Sequence, residues 1–221
     1  MKMRILVIGL GRLGTALAQS LAEGGAEVIA LDNHPENLDD LKSFVHVAVQ
    51  GDSTDPEVLR QVGASSVDCA VVCMGEFFES TLLTTATLLE LKVPHVAARA
   101  STARNAQILK KIGAHEVFYV EHEMGRIMGR RLTRPSVVHE MELGYGLKII
   151  EWDPPEWARK RSLAELSLPK EYKVQVITLI DPSKPGEIIW PRPDTVIAPG
   201  LRCVLMGSSA DLQKLLEKTD T

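Results

Sequence analysis

Gly9-Leu10-Gly11-Arg12-Leu13-Gly14 sets three glycines at the spacing of the dinucleotide-binding fingerprint, directly after a short apolar run and at the start of a helical pattern. The chemistry of such a loop is the holding of a diphosphate. Gly9 allows the tight turn, Gly11 lets backbone approach a phosphate, and Gly14 lets the helix pack closely on the strand, while the helix N-terminus supplies unpaired N–H groups and positive potential. Asp32 ends the next apolar run, where a carboxylate accepts from ribose hydroxyls and repels a 2′-phosphate, which disfavours NADP. Arg12 either reaches terminal phosphates or is a surface arginine beside the mouth. Gly51-Asp52-Ser53-Thr54-Asp55 follows a third apolar run; such a polar turn borders a ligand crevice, and Ser53 or Thr54 also has the chemistry of a helix cap.

Bond-making groups are not evident beside this loop. His122-Glu123 and His139-Glu140 begin like a zinc-protease helix without its second histidine, and neither a nucleophile elbow nor a glycine-rich loop ending in Gly-Lys-Ser/Thr occurs. Cys69 and Cys73 fall in a predicted buried strand and read as structural thiols. With Cys203 they form an odd, sparse set, which points to a reducing, cytosolic compartment. Arg126, Arg130 and Arg134 share one helical face, with Arg131 nearby; the face is either solvated or an interface with a partner.

The elements that must position these groups follow from periodicity. Apolar runs at 3–8, 27–31, 45–49, 69–74, 95–98 and 115–120 read as strands. Helical patterns containing Leu13, Leu17, Ala18 and Leu21, then near 35–43, 55–62, 77–92 and 102–112, alternate with them. That alternation predicts an α/β fold, a Rossmann-like parallel sheet with helices on both faces. An arginine-rich linker helix over 121–134 ends at Pro135, since proline disfavours helix in the residue before it. We expect a nucleotide-binding domain over 1–134, linker helix included, and a small α+β domain over 135–221. Nine of the 12 prolines lie in the second part. Its predicted strands are 136–143, 147–152, 174–180, 187–190 and 202–206, with a helical patch near 162–167 and a last helix at 209–218.

The chain has 221 residues and a net charge of −4, which gives no overall electrostatic drive toward DNA or RNA. Lys2, Arg4 and the run Ile5–Leu10 imitate a signal peptide, an imitation that Arg12 spoils. No apolar run approaches the roughly 20 residues of a membrane span, so a membrane role would need a separate partner chain.

The glycine loop, Asp32, Gly51-Asp52-Ser53-Thr54, Ser80-Thr81-Leu82-Leu83-Thr84, the strand ending at Arg99 and Lys111-Ile112-Gly113-Ala114 occur in an order that resembles the regulator of potassium conductance (RCK) family, with its Ktr- and Trk-type potassium-uptake gating subunits. Pro193-Asp194-Thr195, Gly200 and the strand into Gly207 extend the likeness into that family's small C-terminal domain. The resemblance implies a non-catalytic cytoplasmic sensor that binds ATP, ADP or NAD(H) and gates a separate membrane potassium transporter subunit. It also implies homodimers assembling into an octameric ring, and no nucleic-acid partner. By position, Gly9, Gly11 and Gly14 would contact phosphates, Asp32 the ribose, and Asp52 with Ser53 the adenosine end. Arg12 and Arg99 would meet the phosphate tail, and Glu121 would help hold a divalent or monovalent cation there. Leu13 in the loop and Asn33 beside Asp32 complete the expected set. The arginine-containing motif with which some relatives bind cyclic di-AMP has no match around Ile180 to Ile189. ATP/ADP is preferred over NAD(H), on the short single-unit chain and Glu121. The other reading is a small NAD-dependent oxidoreductase; a redox-sensing transcription regulator would need a basic helix-turn-helix segment, which is not found.

Overall fold

The computed structural model describes residues 2–75 and 77–219, which divide into two compact units at Met124/Gly125. The first contains β1 (Arg4–Ile8), α1 (Arg12–Glu23), β2 (Glu27–Asp32), α2 (Glu36–Asp39), β3 (Val47–Gln50), α3 (Pro56–Gln61), β4 (Cys69–Val72), α4 (Phe78–Glu90), β5 (His95–Arg99), α5 (Ala103–Lys111) and β6 (Glu116–Phe118). The division itself falls inside α6 (Val120–Thr133), which the sequence reading gave wholly to the first domain.

The first sheet is parallel, with strand order β3-β2-β1-β4-β5-β6. Both faces of β1 are buried, which explains its unbroken apolar run. Ile5 and Val7 join a core with Ala18, Leu38 and Leu41, while Leu6 and Ile8 join the opposite core with Leu59, Leu88 and Leu109. Strand order reverses between β1 and β4, so the crevice at their carboxyl ends lies between the Gly9 turn and Cys73–Gly75. The register Ile8↔Leu31 and Ile8↔Val72 brings the ends of β1, β2 and β4 level there.

In the second unit, β7 (Val137–Gly144), β8 (Leu147–Trp152), α7 (Leu163–Leu166), α8 (Leu168–Tyr172), β9 (Gln175–Ile180), β10 (Ile188–Ile189), β11 (Arg202–Ser208) and α9 (Ser209–Thr219) follow in order. Their strands form an antiparallel sheet, β10-β9-β11-β8-β7, whose core joins Trp152, Leu179 and Leu205 to Leu212, Leu215 and Leu216 of α9. The α/β class with a separate smaller domain is as expected.

Two elements differ from expectation for local reasons. The helix predicted over 35–43 is a single turn, because Leu41 and Phe44 bond back to the third preceding residue and lead the chain into turns. Helix α8 was missed because Pro169 reads as a breaker; it occupies the first turn, where its absent N–H costs nothing.

Candidate functional site

The three glycines of the loop have different reasons to be glycine. Gly9 has φ +85°, and a Cβ there would stand 2.9 Å from the Met74 backbone nitrogen. A Cβ on Gly14 would stand 1.9 Å from the Gly9 carbonyl oxygen, so α1 and the loop approach closer than any side chain permits. Gly11 is extended at φ −66°, ψ −171°, and a Cβ on it would meet nothing within 4 Å. Packing and turn geometry account for Gly9 and Gly14; Gly11 borders open space.

Gly11 is also the N-cap of α1, a 12-residue helix with no side-chain cap and no acidic residue in its first turn. Two other helices of this unit are capped: Asp55 accepts from the Glu57 amide and Thr102 from the Asn105 amide. Helix α1 therefore keeps its first-turn amides, from Arg12, Leu13 and Gly14, free of side-chain acceptors and facing an anion-favouring potential. Leu13 can contribute only its backbone, because its half-buried side chain lines neither opening beside the loop.

Asp32 is buried and holds the loop as well as facing the crevice. Its Oδ2 accepts from the Leu10 amide at 2.5 Å, and its Oδ1 from the His34 amide at 2.8 Å and from Asn37 Nδ2 at 3.2 Å. A carboxylate has about four lone-pair sites, so acceptor capacity remains for a ribose hydroxyl. The sequence reading had given this carboxylate to the ribose alone. The Thr15 hydroxyl donates to the Leu10 carbonyl at 2.8 Å and ties the other side of the loop to α1.

Gly9, Asp32, Asn33, Asp52 and Ser53 line one cleft, together with Met74, Phe77 and Ser80. Asp52 Oδ1 accepts from the Thr54 amide at 2.9 Å and its hydroxyl at 2.8 Å, and these bonds hold the carboxyl below the usual carboxylate range, the amide contributing most. Ser53 is buried, with its hydroxyl 3.0 Å from that of Thr84, and its carbonyl accepts from the Thr84 hydroxyl at 3.1 Å. Neither Ser53 nor Thr54 caps α3; Asp55 does. Phe77 is exposed at the rim. Sequence reasoning missed it, although an aromatic just past a strand of such a sheet was a usable signal.

Gly11 and Arg12 line the adjoining opening with Thr15 and Asn37. Among the described residues, the Arg12 guanidinium has no hydrogen bond or ion pair. Arg99, at the end of β5, donates through Nη2 to Glu121 Oε1 on the first turn of α6. Its guanidinium lies over Gly75, where a Cβ would be 2.6 Å from Nη1 and 2.8 Å from Cζ. Gly75 follows Met74, the residue packed on Gly9, so Arg99 sits one residue past the loop's neighbour, and it lines neither opening beside the loop. Glu121 is held below its ordinary range by its own backbone amide first and by Arg99 second. Burial pushes the Cys73 thiol beneath this turn up to about 12, opposed by the Arg99 charge, in keeping with a structural role.

The uncapped helix start, the open space at Gly11, the carboxylate at the end of β2 and two cations near the loop suit an anionic ligand carrying hydroxyls. Among the described residues, no group of three or more His, Cys, Asp or Glu could hold a metal ion, so a cation at Glu121 would need the ligand's own oxygens. His122 stacks on Tyr119 with ring centroids 5.2 Å apart, and His139 pairs with Glu151 at 3.7 Å; neither belongs to a metal-ligating set. No helix among the described residues is long and apolar enough to cross a membrane.

Comparison with known proteins adds three findings. The TrkA-N domain model matches residues 5–120 and the TrkA-C domain model residues 148–220. The chain is 28% identical over 216 residues to the Ktr system potassium uptake protein C of Bacillus subtilis, with 97% of this chain and 96% of that protein covered. It is 26% identical over 209 residues to protein A of the same organism's Ktr system, with 94% and 93% covered. In fold it is similar to the GsuK channel bound to NAD, with TM-score 0.67 and 18% identity, spanning 100% of this chain and 40% of that one.

Proposed function

The chain belongs to the family built from a TrkA-N and a TrkA-C domain, and from that premise we propose that it is the nucleotide-binding regulatory subunit of a potassium channel or transporter. The open space at Gly11 carries the reading. Of the three loop glycines it alone is not required by the fold, and it stands at an uncapped helix start where a phosphate would sit. In this reading the first-turn amides of Arg12, Leu13 and Gly14 hold the phosphates, Asp32 and Asn33 receive the ribose, and the Asp52–Ser53 turn receives the adenosine end. Arg12 and Arg99 face the phosphate tail, and Glu121 lies where a phosphate-bound cation could be shared. Two cations at the tail favour ATP and ADP over NAD(H).

The protein acts without turnover, by shifting the shape of an assembly docked on a membrane partner from the cytoplasmic side. Copies pair and assemble into an octameric ring, to which Ile127, Met128 and Leu132, exposed on α6, supply apolar surface. A ligand shifts such an equilibrium only by its preference for one shape, and moving it from 1:99 to 99:1 needs about 5.5 kcal/mol, which several coupled sites can share.

Calorimetric titration of the wild type and Gly11→Val with ATP, ADP and NADH tests the site. A Cβ at Gly11 meets nothing within 4 Å, and thermal unfolding checks that the variant is folded; loss of binding is expected, and unchanged affinity for every adenine nucleotide overturns the assignment.

A further inference from the structure

The Arg99–Glu121 pair stands where the proposed site would place a phosphate tail, and its two partners are unequally held. Arg99 is fixed: only 23% of its side chain is exposed, its guanidinium lies on Gly75, and its Nε is buried without an acceptor. Glu121 is the more exposed partner: 57% of its side chain is exposed, it meets Arg99 through one oxygen on one nitrogen, and its other tie is to its own backbone amide, a bond it keeps when it turns away from Arg99. An exposed monodentate carboxylate contributes little net, whereas a phosphate can engage a guanidinium through two parallel N–H bonds. An anion arriving beside Gly9 would compete for the one nitrogen Glu121 now holds, and Glu121 is the partner free to leave.

We propose that Glu121 is an internal occupant of the Arg99 guanidinium and is displaced by the terminal phosphates of a bound nucleotide. The number of phosphates is thereby converted into release of a carboxylate on the first turn of α6. A monophosphate seated on the α1 amides leaves the pair intact; a diphosphate or triphosphate tail extends to Arg99 and breaks it. The released carboxylate then becomes available to a cation carried by that tail. Glu121 thus opposes phosphate binding when no cation is present, the reverse of a group that only recruits a cation.

This inference rests on the proposed nucleotide site, and the experiment separates the two. AMP, ADP and ATP are titrated calorimetrically into the full chain in EDTA, comparing wild type with Glu121→Gln, which keeps the side chain's shape and removes its charge. The expected result is ATP and ADP binding about two- to fivefold tighter in the variant, the range of an exposed ion pair, with AMP unchanged. Equal or weaker ATP binding overturns the proposal, as does a gain that AMP shares. If the wild type binds none of the three, the nucleotide site itself is wrong. Amide exchange gives a second reading: ATP should speed exchange at residues 121–124 in the wild type, AMP should not, and Glu121→Gln should be fast from the start. Exchange that ATP slows in EDTA, or leaves unchanged, overturns the displacement.

Discussion

The amide of Leu10 donates to Asp32 Oδ2 at 2.5 Å, so the carboxylate at the end of β2 closes the glycine loop at the end of β1. In the proposed site, ribose binding and loop integrity would therefore share one side chain. Asp32→Ala leaves a buried amide without an acceptor, at a cost of about 1–3 kcal/mol. We expect a lower melting temperature without ligand, and weaker binding of ATP, ADP and NADH together, measured by thermal unfolding and calorimetry. NADP(H) binding the wild type as tightly as these three would contradict the ribose role.

Gly14 and Gly11 should separate stability from binding. A Cβ at Gly14 would overlap the Gly9 carbonyl oxygen at 1.9 Å, a backbone contact that no rotamer relieves. Gly14→Ala is expected to destabilise the domain by a few kcal/mol, about 1–3 being usual for overpacking. Gly11→Ala meets no such overlap and should cost only what alanine costs at an N-cap, up to about 1 kcal/mol. Equal losses of stability in both variants would refute the different roles given to the two glycines.

How far the site could be read in advance depended on how local each relationship is. The β1 run and the glycine spacing are local, and Asp32 closes the next apolar run; together they predicted both the parallel sheet and the crevice. The Leu10–Asp32 bond spans 22 residues and exists only because Ile8 and Leu31 are in register. The Arg99–Glu121 pair likewise needs β5 beside β6, with Arg99 paired to Phe118 just ahead of α6. Sequence reasoning placed each partner at the phosphates separately and missed that they hold one another. Ser53 lines the cleft as expected, but that its hydroxyl meets Thr84 on α4, 31 residues away, was not legible in the sequence.

Gly75 should act on the phosphate tail through Arg99. A methyl group there meets the end of a flexible side chain, so the fold tolerates it while the guanidinium moves. Gly75→Ala is expected to weaken ATP several-fold, about the 1–2 kcal/mol of a charge-assisted hydrogen bond, and to leave AMP nearly unchanged. Equal weakening of both in calorimetry would place Arg99 away from the tail.

Alkaline pH should expose the buried thiols. Burial raises Cys73 and Cys203 from the ordinary thiol range to about 12, so the fold favours the neutral thiol in both. The stability this contributes is complete below about pH 9 and is lost as pH rises toward 12. Denaturant midpoints should therefore fall between pH 9 and 11, less steeply in Cys203→Ala than in wild type, each thiol contributing at most about 1.4 kcal/mol per pH unit. An identical slope in the variant would show that Cys203 is not a source of the dependence.

Regulation through a partner makes the most demanding prediction. The proposed site would hold a nucleotide between backbone amides, a ribose-facing carboxylate and two arginines, a set in which no side chain is given a proton to move or a bond to attack. On that reading the output is a change of shape passed to another chain, with ATP and ADP differing because only ATP brings a third phosphate to the Arg12 guanidinium. Liposomes carrying the membrane subunit should show potassium flux that depends on this protein and differs between ATP and ADP. In the same preparation Arg12→Ala, which keeps the backbone amide and removes the guanidinium, should bring the two fluxes together while AMP affinity persists. Flux that is identical with and without the protein under both nucleotides, alongside robust hydride transfer from NADH in a substrate screen, would replace the regulatory reading with an oxidoreductase.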